Sequence, residues 1–492
     1  MLLLAVEPGT FWRYMSAAVS MVYIITVAAI IVTVIHQKRD PTKTSLWVLA
    51  LAMLPVAGLV LYVFFGRNHR KEKLFGRKGV HDQEQMRGMS TDQLVQLHSN
   101  RATLSPKVAD YASHITLLLN NNKALLTEYN EVELLHDGQQ AFSSIIEELE
   151  AAQHSIHMLF YIVSADRIGN RIKHLLMDKA RGGVHVRLIY DDVGSWHLPA
   201  SFAADLRAAG AEVFPFMPVR MPALTSKANY RNHRKIVVVD GEVGYLGGMN
   251  IADRYIEGDS RLGPWIDTML RLRGEAVHSL QAIFFTDWSF VAGRAIDNQL
   301  QYFPKLQPPG YLPMQIATSG PDSDWANIMQ AYFYAITHAQ SHIYIATPYF
   351  IPNESMLTAL KTAALSGIDV RIMLPGRSDL RVVYWSSRSY VQELLEAGIK
   401  VYMLQHGFNH SKVMMVDSSC AFVGSANMDI RSFEDNFEVA AIIYDRRTTR
   451  QLEATFMQHM QRCVRIDTGE WSQRPIRITF IEAMARIISP LF

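Results

Sequence analysis

The stretch that decides the fold is His233-Arg234-Lys235-Ile236-Val237-Val238-Val239-Asp240 followed by Gly247-Gly248-Met249-Asn250. It has a second copy, His410-Ser411-Lys412-Val413-Met414-Met415-Val416-Asp417 followed by Gly424-Ser425-Ala426-Asn427. In both, Lys stands two residues after His, Asp seven, Gly fourteen and Asn seventeen. Two such sets in one chain signal an internal duplication. A His and a Lys two apart on a strand point to the same face. Each apolar run then enters a turn, Asp240-Gly241 or Asp417-Ser418-Ser419, and returns through 243–246 or 420–423, which brings the Asn back towards its His.

One imidazole, one ammonium and one amide from each half would then converge, a set suited to a phosphodiester. Lys235 and Lys412 neutralise non-bridging oxygens, and Asn250 and Asn427 donate hydrogen bonds to them. The two histidines divide nucleophilic attack and proton transfer between them. A pair held in opposite protonation states needs carboxylates to orient and tune it. The candidates are Asp267 and Glu438, 34 and 28 residues after His233 and His410, with either assignment to the two histidines open. Asp240 and Asp417 are candidates for a catalytic role and, equally, for holding the turn. No metal is expected: no His-Glu-x-x-His or Cys-x-x-Cys spacing occurs, and a Lys beside each His repels cations.

The duplication extends outwards. Residues 153–163 resemble 340–350, 183–189 resemble 367–373, and 209–213 resemble 397–401. Each half reads helix and strand in alternation, which predicts an α/β class with a sheet covered by helices, two similar domains forming an intramolecular dimer. The offset between copies is 184 to 188 residues and drops to 177 at the motif, so the first half holds a longer loop, 214–232, expected at the lip of the site. A Pro- and Gly-bearing linker, 304–310, separates the domains, expected at 129–305 and 306–492.

The chain has 492 residues, 49% hydrophobic and 19% charged, with a net charge of +2. This excludes disorder as the main state and disfavours a protein that coats nucleic acid. Two cysteines, Cys420 and Cys463, make no disulfide framework. Hydrophobicity is concentrated at the start: 14–35 and 45–66 each hold 22 residues without Asp, Glu, Lys or Arg. Each is long enough to cross a hydrocarbon core of about 30 Å, so 1–66 reads as a two-span transmembrane hairpin and 67–128 as a juxtamembrane connector. Lys38, Arg39 and Lys43 lie between the spans, against Arg13, Arg67, Arg70, Lys71, Lys73, Arg77 and Lys78 on the other side, which places the N-terminus and all that follows residue 66 in the cytoplasm. At the far end, Ile476, Phe480, Met484, Ile487, Ile488 and Leu491 predict an amphipathic helix, with packing on the second domain preferred over a membrane surface.

The paired motifs resemble those of the phospholipase D superfamily, and the bacterial cardiolipin synthase branch in particular. The likeness covers nearly the whole chain, including the N-terminal hairpin, 232–237, 247–251, 347–352, 424–433 and 489–492. It implies two α/β/α sandwich domains forming a pseudo-dimer, in a multi-pass protein of the bacterial inner membrane. The implied reaction is phosphatidyl transfer between two phosphatidylglycerol molecules, giving cardiolipin and glycerol through a phosphatidyl-histidine, without metal or other cofactor. His233 is then the nucleophile and His410 the acid/base. Gly248 stands where the second motif has Ser425, so the halves are not equivalent if that hydroxyl contacts phosphate. A phospholipase D-type hydrolase of membrane lipids is the alternative reading. A nuclease is disfavoured by the hairpin and the small net charge, and a silent scaffold by the completeness of both motifs.

Overall fold

The structure, a computed structural model, describes residues 8–36, 41–54, 58, 62, 80–99, 105–219 and 230–489. Contacts divide the chain into an N-terminal unit and a larger one. In the first, α1 (Pro8–His36) contains one stretch, Trp12–Val32, long and apolar enough to cross a membrane. In such a helix every interior backbone group is satisfied within the segment, which is what a bilayer demands. Helix α2 (Pro41–Met53) packs on α1 around Val27, Leu51 and Tyr62, and the Trp47 ring meets Tyr62 edge-on. The remainder of the second expected span lies outside the described residues apart from Leu54, Gly58 and Tyr62, as does the basic cluster 67–78.

The larger unit is built on one sheet. Its N-terminal half supplies β1 (Leu126–Leu135), β2 (Ser155–Phe160), β3 (His185–Asp191), β4 (Glu212–Phe216), β5 (Ile236–Val239), β6 (Val243–Gly247), β7 (Trp265–Ile266) and β8 (Met269–Gly274). The C-terminal half supplies β9 (Tyr311–Ser319), β10 (His342–Ala346), β11 (Phe350–Ile351), β12 (Asp369–Pro375), β13 (Lys400–Leu404), β14 (Phe408–Asn409), β15 (Val413–Val416), β16 (Cys420–Gly424), β17 (Met428–Asp429), β18 (Glu438–Ile443) and β19 (Cys463–Arg465). Fifteen strands hydrogen-bond in the order β19-β13-β12-β10-β15-β16-β18-β9-β1-β8-β6-β5-β2-β3-β4. Outwards from the antiparallel β9–β1 junction, both halves repeat one order, to which the C-terminal half adds β19 at its edge. The motif strands β5 and β15 are buried throughout, as expected of strands covered on both faces.

The expected hairpins are present, with Val239 opposite Val243 and Val416 opposite Cys420. Asp240 and Asp417 turn the chain with φ of 53° at each, a left-handed conformation that Asp tolerates better than most residues. The covering helices bury apolar stripes. Gly138–Ala151, capped by Asp137 on the Gln140 N–H at 2.8 Å, buries Phe142, Ile145, Ile146 and Leu149. Helices Pro106–Asp110 and Ala112–Asn122, at the end of the stretch read from sequence as a connector, contribute Val108, Ile115, Leu118 and Leu119 to the core under β10, β12 and β15. Cys420 and Cys463 are free thiols.

Candidate active site

The two motif histidines lie just before β5 and β15, in segments that pair with the opposite half. β14 runs parallel to β7, Phe408 beside Trp265 and Asn409 beside Ile266. Asn232 makes the matching parallel bridge to Phe437. The backbone N–H of His410 donates to Ile266 O at 2.7 Å and that of His233 to Phe437 O at 2.8 Å. The next residue in register on each partner strand is a carboxylate. Glu438 Oε2 therefore sits 3.0 Å from His233 Nδ1, and Asp267 Oδ2 sits 2.6 Å from His410 Nδ1. Each histidine is served by the carboxylate of the other half, so each couple needs both halves.

The two couples differ in what else faces Nδ1. His233 Nδ1 meets a second acceptor, the Ser425 carbonyl, at 3.1 Å. A nitrogen between two acceptors must carry the proton, which leaves the Nε2 lone pair of a neutral His233 free. His410 Nδ1 instead lies between the Asp267 carboxylate and the Lys412 ammonium, the latter 2.8 Å away. An acceptor on one side and a donor on the other leave its proton free to redistribute.

The electrostatics follow from burial. His233 is brought down to about 4 by burial, with Glu438 opposing and Lys235 adding to the effect. Glu438 stays below its ordinary value: burial works against its charge, and His233 and Lys235 outweigh burial. In the other couple burial, then Lys412 and Lys235, hold His410 well below the usual range, while burial pushes Asp267 up to about 7 against the pull of Lys412. That couple therefore keeps a proton near neutral pH, held towards Asp267. Burial also lowers both lysines, Lys412 to about 8 and Lys235 well below the usual value. His410 is influenced by Lys235 and by His233, so groups of both halves share one field.

Other expected site residues fall differently. Asp240 and Asp417 lie at the far ends of the motif strands, away from the histidines. Asp240 accepts the N–H groups of Gln153, His154 and Ser155 at 2.7–2.8 Å, and Asp417 those of Gln340, Ser341 and His342 at 2.7–3.0 Å. Their work is to tie each hairpin to the start of the neighbouring strand. Asn250 is engaged at both ends of its amide, with Ile162 N–H at 3.0 Å and Tyr255 Oη at 2.7 Å. Asn427 Oδ1 is buried without a hydrogen-bond partner. Ser425 Oγ donates to Glu438 Oε2 and accepts from Val439 N–H at 3.0 Å, so it backs the His233 couple.

The Gly248 and Ser425 difference thus has a structural cause. A Cβ on Gly248 would stand 2.2 Å from Asp267 Oδ1. Gly248→Ser is expected to displace Asp267 from His410 and to lower kcat/KM about 100-fold, which steady-state kinetics with a folded variant would register. Sequence reasoning missed the aromatic walls. The Tyr161 ring lies edge-on to His233 at 4.9 Å with Lys235 Nζ 5.4 Å from its centroid, and Tyr255 and Trp265 flank His410 at 5.7 and 5.5 Å. Tyr161 lies in the repeated segment 153–163 and Trp265 two residues before Asp267, so both stood in stretches already singled out. Behind them the buried Arg231–Asp191 and Arg234–Asp287 pairs, 3.2 and 2.6 Å, fix the segment around His233.

A duplicated α/β unit with a His and Lys from each copy at a shared site defines an enzyme of the phospholipase D class, and comparison with known proteins agrees. A family model described as cardiolipin synthase, PLD-like domain, matches residues 145–288 and 332–460, and one described as phospholipase D-nuclease N-terminal matches 24–67. A cardiolipin synthase of Alkalihalophilus pseudofirmus is 42% identical over 99% of this chain and 96% of its own length. One of Geobacillus sp. (strain WCH70) is 43% identical over 92% of this chain and 90% of its own. The crystal structure of phosphatidylserine synthase from Haemophilus influenzae shares the fold, with a TM-score of 0.56 at 15% identity over 76% of this chain and 98% of that one. The chain belongs to the cardiolipin synthase family of the phospholipase D superfamily and is an enzyme.

Proposed function

We propose that the enzyme transfers a phosphatidyl group from one phosphatidylglycerol to a hydroxyl of another, giving cardiolipin and glycerol, with its two halves working as a pseudo-dimer around one site. The observation that carries this reading is the pair of crossed His–carboxylate couples, each completed by the other half and alike in plan but unlike in protonation. His233, neutral with Nε2 free, attacks phosphorus. The bond from phosphorus to the glycerol headgroup breaks, and His410 Nε2–H gives the leaving alkoxide its proton. Phosphatidyl-His233 remains. A hydroxyl of the second phosphatidylglycerol then gives its proton to His410 and attacks phosphorus, releasing His233.

The charges support this division. Lys235 and Lys412 face the phosphate and are among the groups that hold His410 unprotonated. When an anionic phosphate arrives beside them their effect is offset, and the proton held towards Asp267 moves onto His410. The activity should therefore fall as pH drops through about 4, where His233 takes up a proton, and fall again as pH rises through about 7, where the His410–Asp267 couple loses its own. A profile of kcat/KM against pH checks this; a plateau running unbroken from pH 6 to 9 would count against His410 as the acid.

The catalytic halves are read as 129–305 and 306–492. The stretch 1–66 is read as a two-span hairpin in the bacterial inner membrane that leaves the catalytic halves in the cytoplasm. The packing of α1 on α2 and the N-terminal family match over 24–67 support the hairpin. The test of function is incubation of the purified chain with phosphatidylglycerol labelled separately in its glycerol headgroup and acyl chains. Cardiolipin with free glycerol supports transfer. Phosphatidic acid as the only lipid product establishes hydrolysis instead.

A further inference from the structure

The C-terminal helix, Ile476–Ile488, is turned with its apolar side outwards. At 100° per residue, Ile476, Phe480, Met484 and Ile487 fall within about 80° of one another. They are 87, 65, 47 and 64% exposed. The opposite side faces the protein and carries the polar contacts. Glu482, nearly fully buried, accepts from Arg388 and Arg474, both at 2.9 Å. The Ala485 carbonyl accepts from Ser386 Oγ at 2.9 Å, and Arg486 lies over the Tyr390 ring at 4.3 Å. From the sequence pattern alone, packing on the second domain is the expected use of the apolar stripe. The helix does pack on helix Arg381–Ser389 of that domain, but through its charged and small residues.

A soluble helix does the reverse, because exposed apolar area costs free energy and a buried charge needs partners. Here the carboxylate has been given two arginines, so the orientation is fixed by ion pairs and the stripe is held out. Among the described residues nothing covers it. Two features of this chain say what does. The helix's outward side is flanked by exposed Arg477, which forms no ion pair among the described residues, so the surface is apolar with cationic character and no free carboxylate. The proposed substrate is an anionic lipid, drawn from a bilayer that α1 is long and apolar enough to enter.

We propose that helix Ile476–Ile488 docks on the surface of an anionic bilayer, seating Ile476, Phe480, Met484 and Ile487 at the boundary of headgroups and acyl chains with Arg477 among the headgroups. The choice of lipid rests on the phosphatidylglycerol reading above. The ion-paired inner side makes the docking element rigid with respect to the C-terminal half, so it sets that half at a fixed height over its substrate.

The test uses the full chain in bilayers of phosphatidylglycerol and phosphatidylcholine, with Cys463 replaced by Ser. Nitroxides are placed by Phe480→Cys or Met484→Cys, and by Glu242→Cys at the exposed β5–β6 turn as the solvent control. Positions 480 and 484 should be more accessible to oxygen than to a water-soluble nickel chelate, and position 242 the reverse. Phe480→Glu with Met484→Glu should reduce turnover on bilayers about tenfold and change it less than about twofold on lipid dispersed in detergent micelles. Nickel accessibility at 480 and 484 equal to that at 242 overturns the proposal, as does dipolar broadening that reports a second copy against the stripe. Bilayer depth at 480 in a chain that makes no cardiolipin supports docking while refuting the transfer reading.

Discussion

His233→Ala should lower cardiolipin formation about 10,000-fold or more, the largest effect of any single substitution in this enzyme. His233 is the histidine whose tautomer is set by two acceptors on Nδ1, so it alone presents a ready lone pair at Nε2. Removing it takes away the covalent route, and the side chains around it put no nucleophile in its place: Glu438 stands on the Nδ1 side at 3.0 Å, Lys235 Nζ donates to the His233 carbonyl at 2.5 Å, and the third neighbour is the ring of Tyr161. His410→Ala should behave differently. On the proposed division of roles it removes the acid that protonates glycerol, yet a lipid with a headgroup of low pKa leaves without help, so such a substrate should still load His233. Single-turnover kinetics with natural and activated headgroups separate the two variants. Equal loss on both substrates in His410→Ala would mean that the roles are reversed.

Glu438→Gln should lower kcat about 1,000-fold with little change in KM. The amide can still accept from His233 Nδ1–H, so the ring keeps its place. What is lost is the negative charge that stabilises the imidazolium character His233 acquires once its Nε2 is bonded to phosphorus, and such a loss counts in the transition state more than in the bound substrate. Glu438 is fully buried and receives Ser425 Oγ as well, so nothing else in the couple supplies that charge. Because Glu438 comes from the C-terminal half and His233 from the N-terminal half, the variant also reports the crossing. Glu438→Gln should abolish adduct formation on His233, in the opposite half. If instead Asp267→Asn governs loading of His233 and Glu438→Gln does not, the couples are not wired as described.

Much of this was legible in the sequence. The alternating pattern, the duplication, the two hairpins and the eight His, Lys, Asp and Asn positions of the repeat follow from short-range spacing. The crossing did not, because it depends on strands 143 and 205 residues apart meeting in parallel register, and no local pattern encodes such a partner. The place of Asp240 was available from arithmetic: seven residues of extended chain at about 3.3 Å each carry it roughly 20 Å from His233, too far for shared chemistry. The connector concealed an apolar stripe, Ile115, Leu118 and Leu119, between polar neighbours, and only the core of the C-terminal half shows its use. The C-terminal stripe was legible as a stripe. Its direction was not, because that was decided by a buried Glu482 finding Arg388 and Arg474.

In the proposed cycle one composite site carries the lipid on His233 between two transfers. The most direct measurement is to mix the purified chain with phosphatidylglycerol, quench within milliseconds in conditions that preserve phosphoramidates, digest, and locate the adduct by mass spectrometry. A phosphatidyl group is expected on the peptide containing His233, formed and consumed fast enough to support turnover to cardiolipin. A kinetically competent adduct on His410, or cardiolipin formed with no protein-bound phosphatidyl group at any time, would contradict it.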